Sequence, residues 1–289
     1  MTQAARPSTR EVVRGYLVLP HAVPIIVVMA ATAAFALIAA RGWPGGGAMG
    51  WLLLAMFGGQ VAVGAVNEIV DADLDARTKP TKPIPAGLVS VRGAWLITIA
   101  GLVVMAIASL TFSVPVFLVC ALGTGVGIAY SVWFKRTIWS WVPYLIALPL
   151  LPIWVWLALS EVDPSLFAIY PIGAAAVIAV QIAQSIPDVE ADARGDVRTL
   201  AVALGARRAR FACWGALGLA AVIAAALAPW LTDSPRWVWF AAVVTGALIA
   251  VNAAIWARNA RAGALACFPC VAVGAVVMGI GWALALIGA

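Results

Sequence analysis

The apolar positions along this chain come in long unbroken blocks rather than at the spacing of an amphipathic helix or a half-buried strand. Nine blocks run at roughly Leu17–Ala40, Met49–Val66, Ala94–Phe112, Val114–Val132, Trp139–Ser160, Leu166–Pro187, Phe211–Leu231, Trp237–Ala257 and Ala264–Ile287. Each has about 20 residues, the length that crosses about 30 Å of hydrocarbon at 1.5 Å per residue. A segment apolar on every face predicts a helix surrounded by lipid or by other helices, so the pattern reads as a polytopic helical membrane protein. Membrane β-barrel strands alternate apolar and polar residues over about ten positions, and no stretch here does so. The first block is too long for a cleaved leader and lacks a small-residue cleavage site, so it is read as a span.

Composition agrees with the pattern. Hydrophobic residues make up 64% of the chain and charged residues 10%, against about 45–50% and 25% in soluble domains. With one histidine, His21, there is no His-rich metal site and a Ser-His-Asp arrangement is disfavoured. Cys120, Cys213, Cys267 and Cys270 all lie in apolar blocks, and the Cys267–Cys270 pair reads as helix packing rather than redox chemistry.

Charge sets the expected sidedness. Of the 18 Lys and Arg residues, 16 fall in the N-terminal segment or in loops after even-numbered spans; only Arg41 and Arg236 lie opposite. The positive-inside rule places that basic side, with both long loops (67–93 and 188–210), in the cytoplasm. The expected location is therefore the plasma membrane of a bacterium. The net charge of +6 is a topology signal, and the scatter of the basic residues argues against nucleic-acid binding.

Eight of the 12 acidic residues gather in two short stretches on that same side. The first is Asn67-Glu68-Ile69-Val70-Asp71-Ala72-Asp73-Leu74-Asp75. If the second span continues through it as a helix, Asn67, Asp71 and Asp75 share one face and Asp73 points away. The second is Asp188-Val189-Glu190-Ala191-Asp192-Ala193-Arg194-Gly195-Asp196, with carboxylates again at i, i+4 and i+8; Gln181, Gln184 and Ser185 extend its polar side back into the sixth span. Pro187 is placed to kink that helix.

Like charges at i, i+4 destabilise a helix unless a cation sits among them. An all-oxygen set suits Mg²⁺, which binds through a few carboxylates plus substrate phosphate oxygens. The alternating Asp/Asn loop of an EF-hand is absent. The plain alternative, solvated loop charges neutralised by nearby Arg and Lys, has to account for two matching clusters on one side, each ending a span. Asp71 and Asp188 are 117 residues apart, which reads as one domain over 1–289 made of two pseudo-repeated halves (about 1–136 and 137–289) sharing a central cavity.

Asn67-x-x-x-Asp71-x-x-x-Asp75 with the following Arg77-Thr78-Lys79-Pro80-Thr81-Lys82-Pro83 resembles the first signature of the UbiA superfamily of intramembrane prenyltransferases. Asp188-x-x-x-Asp192 followed by Arg198-Thr199-Leu200 and Leu204-Gly205 resembles its second, and Tyr130-Ser131-x-x-x-Lys135-Arg136 is similar to the basic segment after the family's fourth helix. The resemblance spans nearly the whole chain. It implies an all-α membrane fold of nine transmembrane helices around a central cavity, with cytoplasmic helical cap loops. It also implies two Mg²⁺ ions bridging an isoprenyl diphosphate, with Asn67, Asp71, Asp75, Asp188 and Asp192 as metal ligands and the four aspartates essential for catalysis. Arg77, Lys82, Tyr130, Lys135, Arg136 and Gln184 would line the substrate, its diphosphate above all.

Two departures bear on the acceptor. Members that prenylate aromatic acids often carry an arginine before a proline at the first helix; here Leu19 precedes Pro20, with His21 next. Glu68 stands where a second Asp often follows the Asn. A buried carboxylate needs a cationic partner, so a neutral acceptor is expected rather than one like 4-hydroxybenzoate. Two other readings stay open. One is a terpene cyclase of the same superfamily, favoured by the 14 tryptophans, whose faces stabilise cations. The other is a transporter or scaffold with a metal-binding vestibule, disfavoured by nearly charge-free spans.

Overall fold

A computed structural model of the chain describes residues 8–20, 22–160, 166–167, 169–193 and 198–286. Arg6, His21, Arg194, Gly195 and Asp196 therefore lie outside the described residues, and at Asp192 only the backbone is described. The described residues are all-helical, with no strand among them.

Eleven α-helices follow one another: α1 (Thr9–Val18), α2 (Ala22–Ala39), α3 (Gly46–Thr78), α4 (Val91–Leu110), α5 (Val114–Ala129), α6 (Val142–Leu159), α7 (Ile169–Ser185), α8 (Val189–Asp192), α9 (Leu200–Leu231), α10 (Arg236–Arg258) and α11 (Ala260–Leu286). Eight of them are long and apolar enough to cross a bilayer. The expected first span, Leu17–Ala40, differs: its apolar helix is shorter, Pro24–Ala39. A separate helix, α1, precedes it, started by a reciprocal cap in which Ser8 Oγ accepts from Glu11 N and Ser8 N donates to Glu11 Oε2. Pro20 lies just past the end of α1. With no N–H to give and a ring that crowds the preceding turn, it separates the two helices.

The chain forms two compact units. The first comprises residues 1–132 and 150–161, so it holds α1–α5 and the second half of α6; the second comprises 133–149 and 162–289. In the first, α3 packs along α4, and both touch α5. The α3–α4 crossing is close because Gly58 and Gly101 face each other: a Cβ on Gly58 would stand 2.6 Å from the Gly101 carbonyl oxygen, and the converse is equally tight. Lipid tails are as apolar as side chains, so membrane helices associate through such small-residue contacts. Leu52, Ala55, Met105, Ala108, Val116 and Trp154 complete this core.

The two faces of α4 show how apolar sequence divides between protein and lipid. Ala94, Thr98, Gly101, Met105 and Ala108 are buried, whereas Leu96, Ile99, Val103, Ile107 and Leu110 are exposed. Both sets recur at helical spacing: small residues together with Met105 face protein, and the branched aliphatic side chains of the opposite face are left for lipid.

In the second unit α10 and α11 form a close hairpin, and α9 packs against α7, α10 and α11. Gly263 lies against Trp256, and Gly281 against Ala241 and Trp237, at distances that leave no room for a Cβ. Within α9 the backbone leaves helical geometry at Gly205 (φ 71°, ψ 154°), a region essentially restricted to glycine. A short N-terminal helical segment therefore meets the long apolar part of α9 at an angle.

Candidate active site

The 33 residues of α3 reach about 50 Å at 1.5 Å per residue, well beyond the hydrocarbon thickness. The excess carries the first acidic stretch, so the helix does continue through Asn67–Asp75. Asp71 and Asp75 are buried (6% and 4% exposed), Asn67 is half-buried and Asp73 is exposed. The helical-face reading therefore holds for the first cluster.

Glu68 was outside the expected ligand set, yet it is the most buried acid of the stretch, at 1% exposure. Residues 68, 71 and 75 stand at i, i+3 and i+7, one stripe of a 3.6-residue helix. The stripe is partly neutralised by Lys82, whose Nζ donates to Glu68 Oε1 at 2.6 Å and to Asp75 Oδ2 at 2.7 Å. Burial pulls the Lys82 ammonium toward its neutral form, but the hydrogen bonds and charges of Asp75 and Glu68 outweigh it and hold the pKa above the ordinary lysine value.

The loop after α3 places this lysine. Lys79 N donates to the Asp75 carbonyl, Lys82 N to the Lys79 carbonyl, and Leu88 and Val89 N both to the Pro83 carbonyl. The resulting compact turn is pinned by a small core of Leu19, Ala65, Val89 and Ala94, with Tyr16, Ile69 and Ile84 around it. Leu19 is fully buried in that core. Arg77, on the last turn of α3, is exposed.

After α5 the helix widens into a π-helical turn, Tyr130–Phe134. Tyr130 and Lys135 are half-buried and Arg136 is exposed. The Arg136 carbonyl accepts a hydrogen bond from Arg198 N at 3.0 Å, which ties the basic segment to the start of α9.

The second acidic stretch is built differently. α7 ends at Ser185, a 3₁₀ turn covers Ile186–Asp188, and α8 covers Val189–Asp192. Pro187 sits inside that tight turn, as a residue without an N–H must where the helix changes pitch. Asp188, Glu190 and Gln184 are exposed, and Asp192 ends α8. On the same side of α7, Gln181 is buried (8% exposed), and its Nε2 has no hydrogen-bond partner. Thr199 caps α9 through its side chain, accepting from Val202 N. Of the cysteines, Cys267 lies 3.8 Å from Cys213 rather than against Cys270, as a packing role for this pair implies.

The donor set fits a hard divalent cation: carboxylates, one amide and no thiolate or imidazole in either stretch. Among the described residues no three acids converge as a ready-made cage, in keeping with an ion that binds through one or two carboxylates and completes its shell with water and phosphate oxygens.

One buried acid row built around a lysine and a second acidic stretch with exposed carboxylates, each ending an apolar helix, describe the site, and comparison with known proteins identifies the class. Residues 27–268 match the UbiA prenyltransferase family, and the chain belongs to that family. It is 28% identical over 195 residues to the digeranylgeranylglyceryl phosphate synthase of Natronomonas pharaonis, covering 66% of this chain and 69% of that protein. Its fold matches a structure of digeranylgeranylglyceryl phosphate synthase with TM-score 0.78 and 13% identity, over 96% of this chain and 100% of the other. It also matches a UbiA homologue from Archaeoglobus fulgidus bound to DMAPP and Mg²⁺, with TM-score 0.68 and 17% identity over 92% and 99% of the two chains.

Proposed function

We propose that this protein is a Mg²⁺-dependent intramembrane prenyltransferase that ionises an isoprenyl diphosphate and transfers the prenyl group to a small, neutral or aromatic acceptor. The observation that carries the reading is the buried row Glu68, Asp71 and Asp75 at the end of a membrane helix, with Lys82 inserted among its carboxylates. Buried carboxylates need cations to balance them, which suits such a row to a divalent ion.

Asn67, Asp71 and Asp75 of the first acidic stretch, and Asp188 and Asp192 of the second, would hold Mg²⁺, two ions in all. When bound, the ions neutralise the diphosphate leaving group. Lys82, Lys135, Arg136 and Arg77 would contact phosphate oxygens, and Tyr130 and Gln184 would orient the substrate. The allylic C–O bond breaks and its electron pair leaves with the diphosphate. The acceptor's nucleophilic atom then bonds to the allylic carbon and loses a proton. Glu68 acts at one remove: it shares Lys82 with Asp75 and so fixes where that ammonium stands.

In this reading the chain is a pseudo-repeat of two halves, about 1–136 and 137–289, and the positive-inside count puts the acidic ends of the spans in the cytoplasm of a bacterial cell. Leu19, where relatives that take aromatic acids often carry arginine, leaves an acceptor carboxylate without that partner, so neutral acceptors are preferred.

The test is purified protein with Mg²⁺ and a panel of prenyl diphosphates, with and without neutral acceptors or 4-hydroxybenzoate, followed by product analysis. The expected result is prenylated neutral acceptor, little prenylated 4-hydroxybenzoate, total loss in EDTA and recovery with Mg²⁺ or Mn²⁺ but poorly with Zn²⁺. Full activity in metal-free buffer refutes the mechanism; a cyclic terpene formed without acceptor replaces transferase by cyclase.

A further inference from the structure

The second unit carries five arginines that the reaction does not use: Arg207, Arg208 and Arg210 near the start of α9, Arg258 at the end of α10 and Arg261 at the start of α11. All lie at the end of the spans that carries the acidic stretch. Among the described residues none of the five has an ion-pair partner. Loop arginines serving only membrane topology need no fixed position, but Arg210 has one. Its guanidinium carbon lies 4.7 Å from the Phe211 ring centroid, 5.1 Å from Trp256 and 5.8 Å from Trp214.

The rings themselves are locked. Trp214 stands edge-on to both Phe211 and Trp256, at 5.5 and 6.2 Å. Its Nε1 donates to Asn252 Oδ1 at 2.9 Å, and Asn252 Nδ2 donates to the Gly263 carbonyl at 3.0 Å. Asn252 is 1% exposed. Arg210 Nε is buried with no hydrogen-bond partner. A guanidinium stacked on aromatic rings keeps its charge and its planar donor fork but has no anion here.

The lipid-facing surface indicates the source of that anion. Along α9, Phe211, Leu219 and Val222 are exposed, and Arg208 continues the same stripe one turn earlier. Along α11, Leu265, Phe268, Val276 and Ile280 form a comparable exposed stripe that begins with Arg261. Arg258 follows Trp256, one of the rings under Arg210, by two residues. Cations at the ends of lipid-facing stripes meet headgroups rather than a soluble solute.

We propose that these five arginines form a binding site for the phosphate of an anionic phospholipid, with Arg210 held ready on its aromatic platform and the other four supplying charge around it. The test uses the full-length protein in detergent with phosphatidylglycerol, phosphatidylcholine or inorganic phosphate, read by native mass spectrometry and thermal unfolding. Phosphatidylglycerol is expected to be retained and to raise the unfolding temperature, whereas phosphatidylcholine and inorganic phosphate are not. Retention should fall about fivefold for each arginine replaced by glutamine, with prenyl transfer in detergent unchanged. Arg208→Gln and Arg261→Gln, both at exposed positions, serve as the second variants should Arg210→Gln fail to fold. Equal retention of the two lipids, or unchanged phosphatidylglycerol retention in these variants, overturns the proposal. Stabilisation by inorganic phosphate alone overturns the lipid assignment.

Discussion

The two acidic stretches look alike in sequence and are built in opposite ways. The first continues a straight α-helix past the membrane, buries its carboxylates and places a lysine between two of them. The second breaks its helix at Pro187, passes through a 3₁₀ turn and leaves Asp188 exposed. The difference follows from local chemistry. Residues 66–78 contain no proline, and the loop that follows is stitched to the helix by backbone hydrogen bonds that set Lys82 against it. Like-charged neighbours on one helix face repel, so a carboxylate row can be buried in advance only with its counter-ion in place. The second stretch leaves Asp188 and Glu190 exposed, where water screens their charges. The first stretch is thus buried around its lysine, while the second keeps these two acids exposed.

The largest test of this comparison is to neutralise one acid in each stretch. Asp71→Asn and Asp192→Asn should each lower kcat/KM by about 10³-fold, as expected when one group of a charge-stabilising site is removed. The fold, checked by circular dichroism and gel filtration in detergent, should be intact. The buried member should also change stability, because Asp71 is 6% exposed. Equal, near-wild-type activity in either variant would falsify the two-stretch mechanism.

A smaller effect separates the first stretch from the second. Lys82→Met leaves Glu68 and Asp75 facing each other without their ammonium, which should cost about 2 kcal/mol of stability, the scale of a hydrogen bond to a charged group. Adding Glu68→Gln should return part of that loss, since a double-mutant cycle isolates the coupling of contacting residues. Arg198→Met, at an exposed position near the second stretch, should leave stability unchanged. If Lys82→Met unfolds like wild type in thermal scans, the lysine does not hold the first stretch together.

Much of this was legible in the sequence, and the rest was hidden for physical reasons. Polar residues Asn67, Asp71 and Asp75 at four-residue spacing predicted a continuing helix because helical spacing does not depend on lipid. The same spacing puts 68 with 71 and 75, but Glu68 reads as a replaced aspartate until its face is considered. Lys82 reads as a phosphate contact; that it also pairs with Glu68 and Asp75 depends on a loop fold set by Pro83, Val89 and Leu19. Hydropathy found the membrane part of α9 but not its start at Leu200. The arginines at 207, 208 and 210 are unfavourable in lipid but not in a helix. At the first span the opposite happened: unbroken hydropathy concealed the break at Pro20 between α1 and α2.

The smallest predicted effect concerns the acids that alternate with the proposed ligands. Asp73 and Glu190 are both exposed, each two residues beyond a proposed ligand and so about 200° around a helix from it. Exposed charges are screened, and substitutions at such positions usually stay within about 0.5 kcal/mol. Asp73→Asn and Glu190→Gln should therefore both keep near-wild-type kcat/KM and stability. In the first stretch this follows from a continuous helix, so Asp73 cannot reach the buried side without unwinding α3. At Glu190 the 3₁₀ turn at Ile186–Asp188 has a different pitch and offsets the faces before and after it. A neutral Asp73→Asn with an inactive Glu190→Gln would place Glu190 among the ligands of the second stretch and tie its chemistry to the broken helix. An inactive Asp73→Asn would instead remove the face assignment on which the reading of the first stretch rests.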